Sequence, residues 1–113
     1  MIHFSLEELD ARRKAASEEL TERGLDGLLM FRQESMYYLT GYDTFGYVFF
    51  QCLYMGADGE PLTLLTRTPD VRQAGHTSVV EDIRVWFDAE GADPAGDLRE
   101  ILEEHDCRGK RLG

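Results

Sequence analysis

Leu25-Asp26-Gly27-Leu28-Leu29-Met30-Phe31 is a short, almost unbroken apolar run that directly follows Gly24. A strand with one face in water alternates apolar and polar residues, so a run without alternation suits a strand covered on both faces. Such a strand needs helices packed around its sheet, and the neighbouring segments supply them. Upstream, Ser5 and Glu8 stand at capping-box spacing, with Phe4 and Leu9 at the staple positions around them. Leu6, Leu9, Ala16 and Leu20 recur near helical spacing, and Gly24 ends the helix. Glu7, Arg12, Lys14, Glu18, Glu19 and Glu22 form its solvated face.

Downstream, Gln33 to Leu39 reads as a short helix stopped by Gly41, and Tyr42 to Ala57 turns strongly β. Asp58-Gly59 is a two-residue hairpin signal with Leu62-Thr63-Leu64-Leu65-Thr66 as the return strand. Thr68-Pro69 predicts an N-cap with Pro at the first helical position, opening a helix to about Gly75. Val79–Phe87 is a further strand, and Asp93-Pro94 repeats the N-cap signature for a helix that carries Leu98, Ile101 and Leu102 inward to about His105. Gly109-Lys110-Arg111-Leu112-Gly113 then begins another strand, which makes the chain an expected N-terminal piece of a longer one. The order α-β-α-β-β-α-β-α-(β) implies an α/β fold with a mixed sheet of about five strands and helices on its faces.

The 113 residues fit one domain, and 42% hydrophobic content is too high for a disordered chain. Twelve Lys and Arg against 22 Asp and Glu give a formal charge of −10, spread along the whole chain. That balance disfavours nucleic acid, whose phosphates are bound by basic side chains, and reads as solubility. Cys52 and Cys107 form neither a CxxC pair nor a disulfide framework, which suits a reducing compartment. The N-terminus shows no basic and apolar leader, and the apolar stretch near Tyr47–Met55 is far short of the ~20 residues that cross a bilayer. A cytoplasmic protein without a membrane partner is expected.

Catalytic signatures are missing. His3, His76 and His105 have no second ligand at zinc spacing. Glu7-Glu8, Glu18-Glu19 and Glu103-Glu104 belong to helix surfaces, and Glu81-Asp82 reads as a sheet-edge or bulge feature. A two-metal nuclease would need carboxylates such as Asp26, Asp43 and Asp82 to converge, against an acidic surface unsuited to its substrate. No GxSxG is present, and Cys52 has no evident His partner. Gly41 and Gly46 have P-loop spacing, but Tyr47-Val48 replaces the Lys and Ser/Thr that phosphate binding needs. No residue is therefore assigned as catalytic or as a metal ligand. What stands out is the segment from Tyr37 to Tyr47, with aromatics at Tyr37, Tyr38, Tyr42, Phe45 and Tyr47 and an acid at Asp43. These side chains either fill space between helix and sheet or face a ligand or partner subunit.

Gly24-Leu25-Asp26-Gly27-Leu28-Leu29, Tyr38-Leu39-Thr40-Gly41-Tyr42, the strands around Asp58-Gly59, Val80-Glu81-Asp82-Ile83-Arg84-Val85-Trp86 and the final Gly109–Gly113 follow one another in a familiar succession. In order and spacing they resemble the N-terminal domain of the creatinase/prolidase family, the pita-bread metallopeptidases and their relatives. The wording of Gln33 to Gly46 is most similar to the Xaa-Pro peptidase and ectoine hydrolase branch. The resemblance implies a three-layer ribonuclease H-like fold for residues 1–113, with the catalytic domain beyond Gly113. It implies no cofactor in this chain. In metallopeptidase members a divalent pair (Mn, Co or Zn) is held in that further domain, whereas creatinase-like members work without metal. It also implies a homodimer in which this domain walls the substrate pocket, for a peptide or small-molecule substrate.

Tyr42, Asp43, Phe45 and Tyr47 are the substrate-proximal candidates that the resemblance marks, with Phe45 matching a family aromatic that approaches substrate. The basic residue that accompanies it has no counterpart in Thr44-Phe45-Gly46-Tyr47, which weakens a creatine or other carboxylate-clamping assignment. The expected function is that of a non-catalytic domain of a C–N bond hydrolase. The alternative is a stand-alone interaction module that binds through the aromatic loop 37–47.

Overall fold

The computed structural model of the chain describes residues 4–43, 50–67, 70–86 and 90–113. Helix α1 (Leu6–Glu22) begins as its sequence dictates: the Ser5 side chain accepts the Glu8 N–H at 3.1 Å. Its end is a Schellman motif. Leu25 N–H bonds the Leu20 carbonyl, Gly24 N–H bonds that of Thr21, and Gly24 takes φ +69°, which a side chain would resist. The turn delivers the chain into β1 (Gly27–Met30), after which α2 (Gln33–Thr40) is stopped by Gly41 at φ +83°. Two arginines of α1 then reach the exposed end of α2. Arg12 donates to the Tyr38 carbonyl (3.0 Å) and Arg13 to that of Leu39 (2.7 Å). They supply both partners and positive charge where the helix leaves its last carbonyls unpaired. Phe4 and Tyr38 sandwich the Arg12 guanidinium at 4.3 and 4.4 Å.

Strands β2 (Cys52–Gly56) and β3 (Leu62–Arg67) form an antiparallel hairpin, with Met55 opposite Leu62. Helix α3 (Val71–Thr77) crosses to β4 (Asp82–Trp86), which runs parallel to β3. Helix α4 (Pro94–Glu104) opens on Asp93, whose carboxylate accepts the Gly96 N–H, with Pro94 at the first position as expected. The sheet order is β1-β2-β3-β4, antiparallel except for the last pair. Side chains alternate across it. Leu53, Met55 and Leu64 point into a cluster with Leu20, Met36, Leu39 and Ala74, so α1, α2 and α3 cover one face. Leu65 and Trp86 meet Ile101 of α4 on the other. The result is the expected three-layer mixed α/β architecture.

Several expectations need correction. Among the described residues four strands form the sheet, not about five: the terminal segment meets β1 through a parallel bridge, Gly27 with Leu112. The hairpin is not a two-residue turn, because Gly56 N–H bonds the Pro61 carbonyl and Gly59 N–H bonds that of Gly56, leaving four residues in the loop. Helix α3 begins after an Asp70 N-cap and passes through Gly75 to Thr77, since Gly75 keeps an ordinary negative φ. Thr68-Pro69 lies outside the described residues. Strand β4 starts at Asp82 rather than Val79, whose N–H instead bonds the Thr40 carbonyl. Tyr42 precedes β2 without strand pairing, and β2 itself is confined to Cys52–Gly56.

Candidate functional site

The chain leaving α2 is rooted in a buried polar ring. Tyr42 is fully buried, and its hydroxyl donates to Gln51 Oε1 at 3.0 Å and lies 3.0 Å from Thr66 Oγ1. Gln51 Nε2 donates to Gln33 Oε1 (3.0 Å), and Gln33 Nε2 donates back to the Tyr42 carbonyl (2.7 Å), which closes the circle. Thr40 adds a local turn: its hydroxyl donates to the Met36 carbonyl and accepts the Tyr42 N–H. Asp43 N–H donates to Thr77 Oγ1 at the end of α3 (2.8 Å). Each polar atom buried here has a partner, as a buried polar group requires.

Of the substrate-proximal candidates, Tyr42 and Asp43 thus sit side by side, Tyr42 with its ring in the core and Asp43 half-buried above Thr77. Phe45 and Tyr47 lie outside the described residues. The chain is described again from Phe50, whose carbonyl accepts the Trp86 indole N–H at 2.9 Å. The residues on either side of 44–49 are therefore tied to the body of the domain. Of the described tyrosines in 37–47, Tyr37 packs on Phe4 with ring centroids 5.0 Å apart, and Tyr38 is exposed. Sequence reading does not join Gln33, Gln51 and Thr66 to this site. Their only signal is polarity beside apolar runs, and nothing local ties three such positions together.

On the opposite face, carboxylates are engaged in structure. Asp82 accepts from Arg84 Nε (2.7 Å) and from the Thr63 hydroxyl (3.0 Å), while Arg84 also pairs with Glu104 at 2.8 Å. His105, the C-cap of α4, places Nε2 2.8 Å from Thr63 Oγ1 and stacks on Tyr54 at 4.9 Å. Asp26 accepts the Arg111 N–H. It lies beside β1, and Asp82 on β4 at the other edge, with two strands between them, so the convergence a two-metal nuclease would need does not occur. Among the described residues no group of three or more His, Cys, Asp or Glu is placed to hold a metal ion.

Arg84 holds the Asp82 and Glu104 carboxyls below their ordinary values of 3.8 and 4.5, mainly by direct hydrogen bonds. A depressed carboxyl stabilises the fold above its unfolded value and loses that contribution as pH falls through the folded one. Arg84→Met should therefore cost most near pH 6 and progressively less as pH falls below about 4, towards the lowered folded values of the two carboxyls. Urea midpoints of both proteins across that range check this. A gap that does not shrink would assign Arg84 a packing role instead.

Cys52 is 1% exposed, and burial pushes its thiol up to about 12. The thiolate that would act as a nucleophile is therefore suppressed. Cys107 is buried as well, its Sγ 3.5 Å from the Tyr54 hydroxyl. Ellman's reagent should find neither thiol within minutes on the native chain and both after denaturation. Rapid native labelling of Cys52, traced by mass spectrometry, would contradict its placement.

The sequence model for the creatinase/prolidase N-terminal domain matches residues 12–113. Ectoine hydrolase of Halomonas elongata is 36% identical over 59 residues, which are 52% of this chain and 15% of that protein. The structure of a dipeptidase from Pyrococcus horikoshii OT3 superposes with a TM-score of 0.72 at 29% identity, over 89% of this chain and 27% of that one. The creatinase/prolidase N-terminal domain of an X-Pro dipeptidase from Streptococcus pyogenes superposes at 0.69 with 17% identity, over 81% and 67% of the two chains, a likeness of fold. The chain thus spans about a quarter or less of the length of the ectoine hydrolase and of the Pyrococcus dipeptidase.

Proposed function

This chain belongs to the creatinase/prolidase N-terminal domain family, and on that premise we propose that it is the non-catalytic domain of a cytoplasmic C–N bond hydrolase. The observation that carries the reading is the match across residues 12–113 to a domain that fills only 27% of a dipeptidase. Its partner in the work is a catalytic domain beyond Gly113, and a homodimer brings the two kinds of domain together. The substrate is an Xaa-Pro peptide or a small cyclic solute such as ectoine. The dipeptidase and ectoine hydrolase likenesses support these classes.

Among the described residues no group of three or more His, Cys, Asp or Glu could hold a metal ion, and we assign any Mn, Co or Zn to the further domain, with no step routed through this chain. What this chain contributes is position. The ring of Tyr42, Gln51 and Gln33 roots the segment that carries Asp43, Phe45 and Tyr47, which we assign to the pocket wall. The burial of Tyr42 and the packing of Tyr37 on Phe4 leave less aromatic surface for a stand-alone binding module.

Purified 113-residue chain should hydrolyse neither an Xaa-Pro dipeptide nor ectoine, with or without Mn²⁺, while the longer protein turns over one of them. Turnover by the short chain alone would overturn the non-catalytic assignment. In the longer protein, Phe45→Ala should raise KM with little change in kcat. An unchanged KM would remove Phe45 from the pocket wall.

A further inference from the structure

The chain turns out of α2 over three successive amides, and each has its own acceptor. Gly41 N–H bonds the Tyr37 carbonyl (2.9 Å), Tyr42 N–H the Thr40 hydroxyl (3.2 Å), and Asp43 N–H the Thr77 hydroxyl (2.8 Å). The first two acceptors belong to α2 itself. Thr77 does not: it is the last residue of α3, 34 positions further along the chain, and it is buried. The tie is reciprocal, because Val79 N–H, just beyond α3, bonds the carbonyl of Thr40, the last residue of α2 (3.0 Å). Two helix ends are thus laced together where the chain departs for residues 44–49.

A hydroxyl has one proton to give. That of Thr77 lies 2.9 Å from the Gln73 carbonyl and 3.4 Å from that of Asp43. The proton goes to the nearer Gln73, the usual back-bond of a threonine to the carbonyl four residues before it. A lone pair of the same oxygen is left to receive Asp43 N–H. The bond therefore depends on an oxygen at this position and not on the outline of the side chain. Serine carries that oxygen, whereas valine has the outline of threonine without it.

We propose that Thr77 is a positioning residue for substrate binding: it fixes the main chain of Asp43, and through it the direction in which the pocket wall leaves the domain. The inference rests on the reading that the segment of Asp43 walls the pocket of the longer protein. Asp43 is only half-buried, so an amide deprived of Thr77 turns towards water rather than staying buried without a partner. Tyr42 keeps its own ties to Thr40 and Gln51, so the core stays in place while the wall is re-aimed. A wall in place for only a fraction of the time weakens the apparent affinity by that fraction. Contacts made equally to bound substrate and to the transition state raise KM when lost and leave kcat alone.

The test uses the longer protein, assayed on whichever of an Xaa-Pro dipeptide and ectoine it turns over. Thr77→Val should raise KM about fivefold or more with kcat within about twofold, and Thr77→Ser should restore KM. Ser78→Ala is the control for a merely structural effect. Ser78 is buried at the same helix end, but its hydroxyl serves the Ala74 carbonyl and the Val80 N–H, so KM should hold. An unmoved KM in Thr77→Val, or an equal rise in Ser78→Ala, would overturn the proposal, as would a fall in kcat at constant KM. Hydrogen exchange in the 113-residue chain reads the bond directly: Thr77→Val should speed the Asp43 amide and spare that of Tyr42. Unchanged exchange at Asp43 would overturn the bond itself. Phe45→Ala in the longer protein separates the two failures. If it raises KM and Thr77→Val does not, Thr77 alone loses its role; if neither moves KM, the pocket-wall reading falls as well.

Discussion

Tyr42→Ala is expected to lower the stability of the chain by about 3–5 kcal/mol, a large share of what a domain of this size has in total. Two effects combine. The ring is fully buried in the cluster of Leu20, Met36, Leu39, Leu53 and Leu64, so truncation leaves a cavity between helices and sheet. The hydroxyl serves both Gln51 and Thr66, and its loss leaves two buried polar groups short of a partner. Tyr42→Phe separates them, because it keeps the ring and removes only the hydroxyl, at an expected cost of about 1–3 kcal/mol. The ring term should therefore be the larger. Trp86 is the single tryptophan and bonds the Phe50 carbonyl, so its fluorescence in urea follows the far end of the same region. A Tyr42→Ala loss below about 1 kcal/mol would mean that the ring is not a core element.

The same residue shows where sequence reading stops. Helix starts and stops were legible because their signals are local. Ser5 with Glu8, Asp93 with Pro94, Gly24 and Gly41 each act within one turn, and the structure starts or stops a helix at each. Of the capping box it shows the Ser5 half, while the Glu8 carboxylate accepts from Arg12. Strand β1 was legible as a strand because a missing alternation is itself a pattern. Among the described residues only its Leu28 and Met30 face is packed under helices, and Phe31 beyond its end is half exposed, so the expected cover on both faces is not complete. The polar ring was not legible. It joins Gln33 at the start of α2, Tyr42 after that helix, Gln51 at the foot of β2 and Thr66 at the far end of β3. Only the packing of α2 over the hairpin brings those positions together. The carboxylates tell the same story from the other side: Asp26 and Asp82 look alike in sequence, and the strand order parts them to opposite edges.

The glycines divide most sharply, and they carry the second large effect. Gly56→Ala should destabilise the chain by about 3 kcal/mol or more, at or beyond the usual range for overpacking. Nothing in the sequence separates Gly56 from Gly75, and both precede a change of direction. In the structure a Cβ on Gly56 would stand 2.2 Å from the Glu60 carbonyl oxygen and 3.0 Å from its carbon. These are backbone atoms, and Gly56 N–H is itself bonded to the Pro61 carbonyl, so the loop cannot step aside without giving up its closing hydrogen bond. The damage should spread to β2 and β3, whose register that bond sets at Met55 and Leu62. Gly75 lies exposed within α3, at negative φ, and a methyl group there would meet no other atom within 4 Å. Gly75→Ala should therefore act with the opposite sign and stabilise by about 0.5–1 kcal/mol, through lower entropy of the unfolded chain. Thermal unfolding of the two variants beside the parent reads both. The same sign for both would mean that the hairpin loop yields freely, and the four-residue closure at Gly56 would lose its claim to set the register.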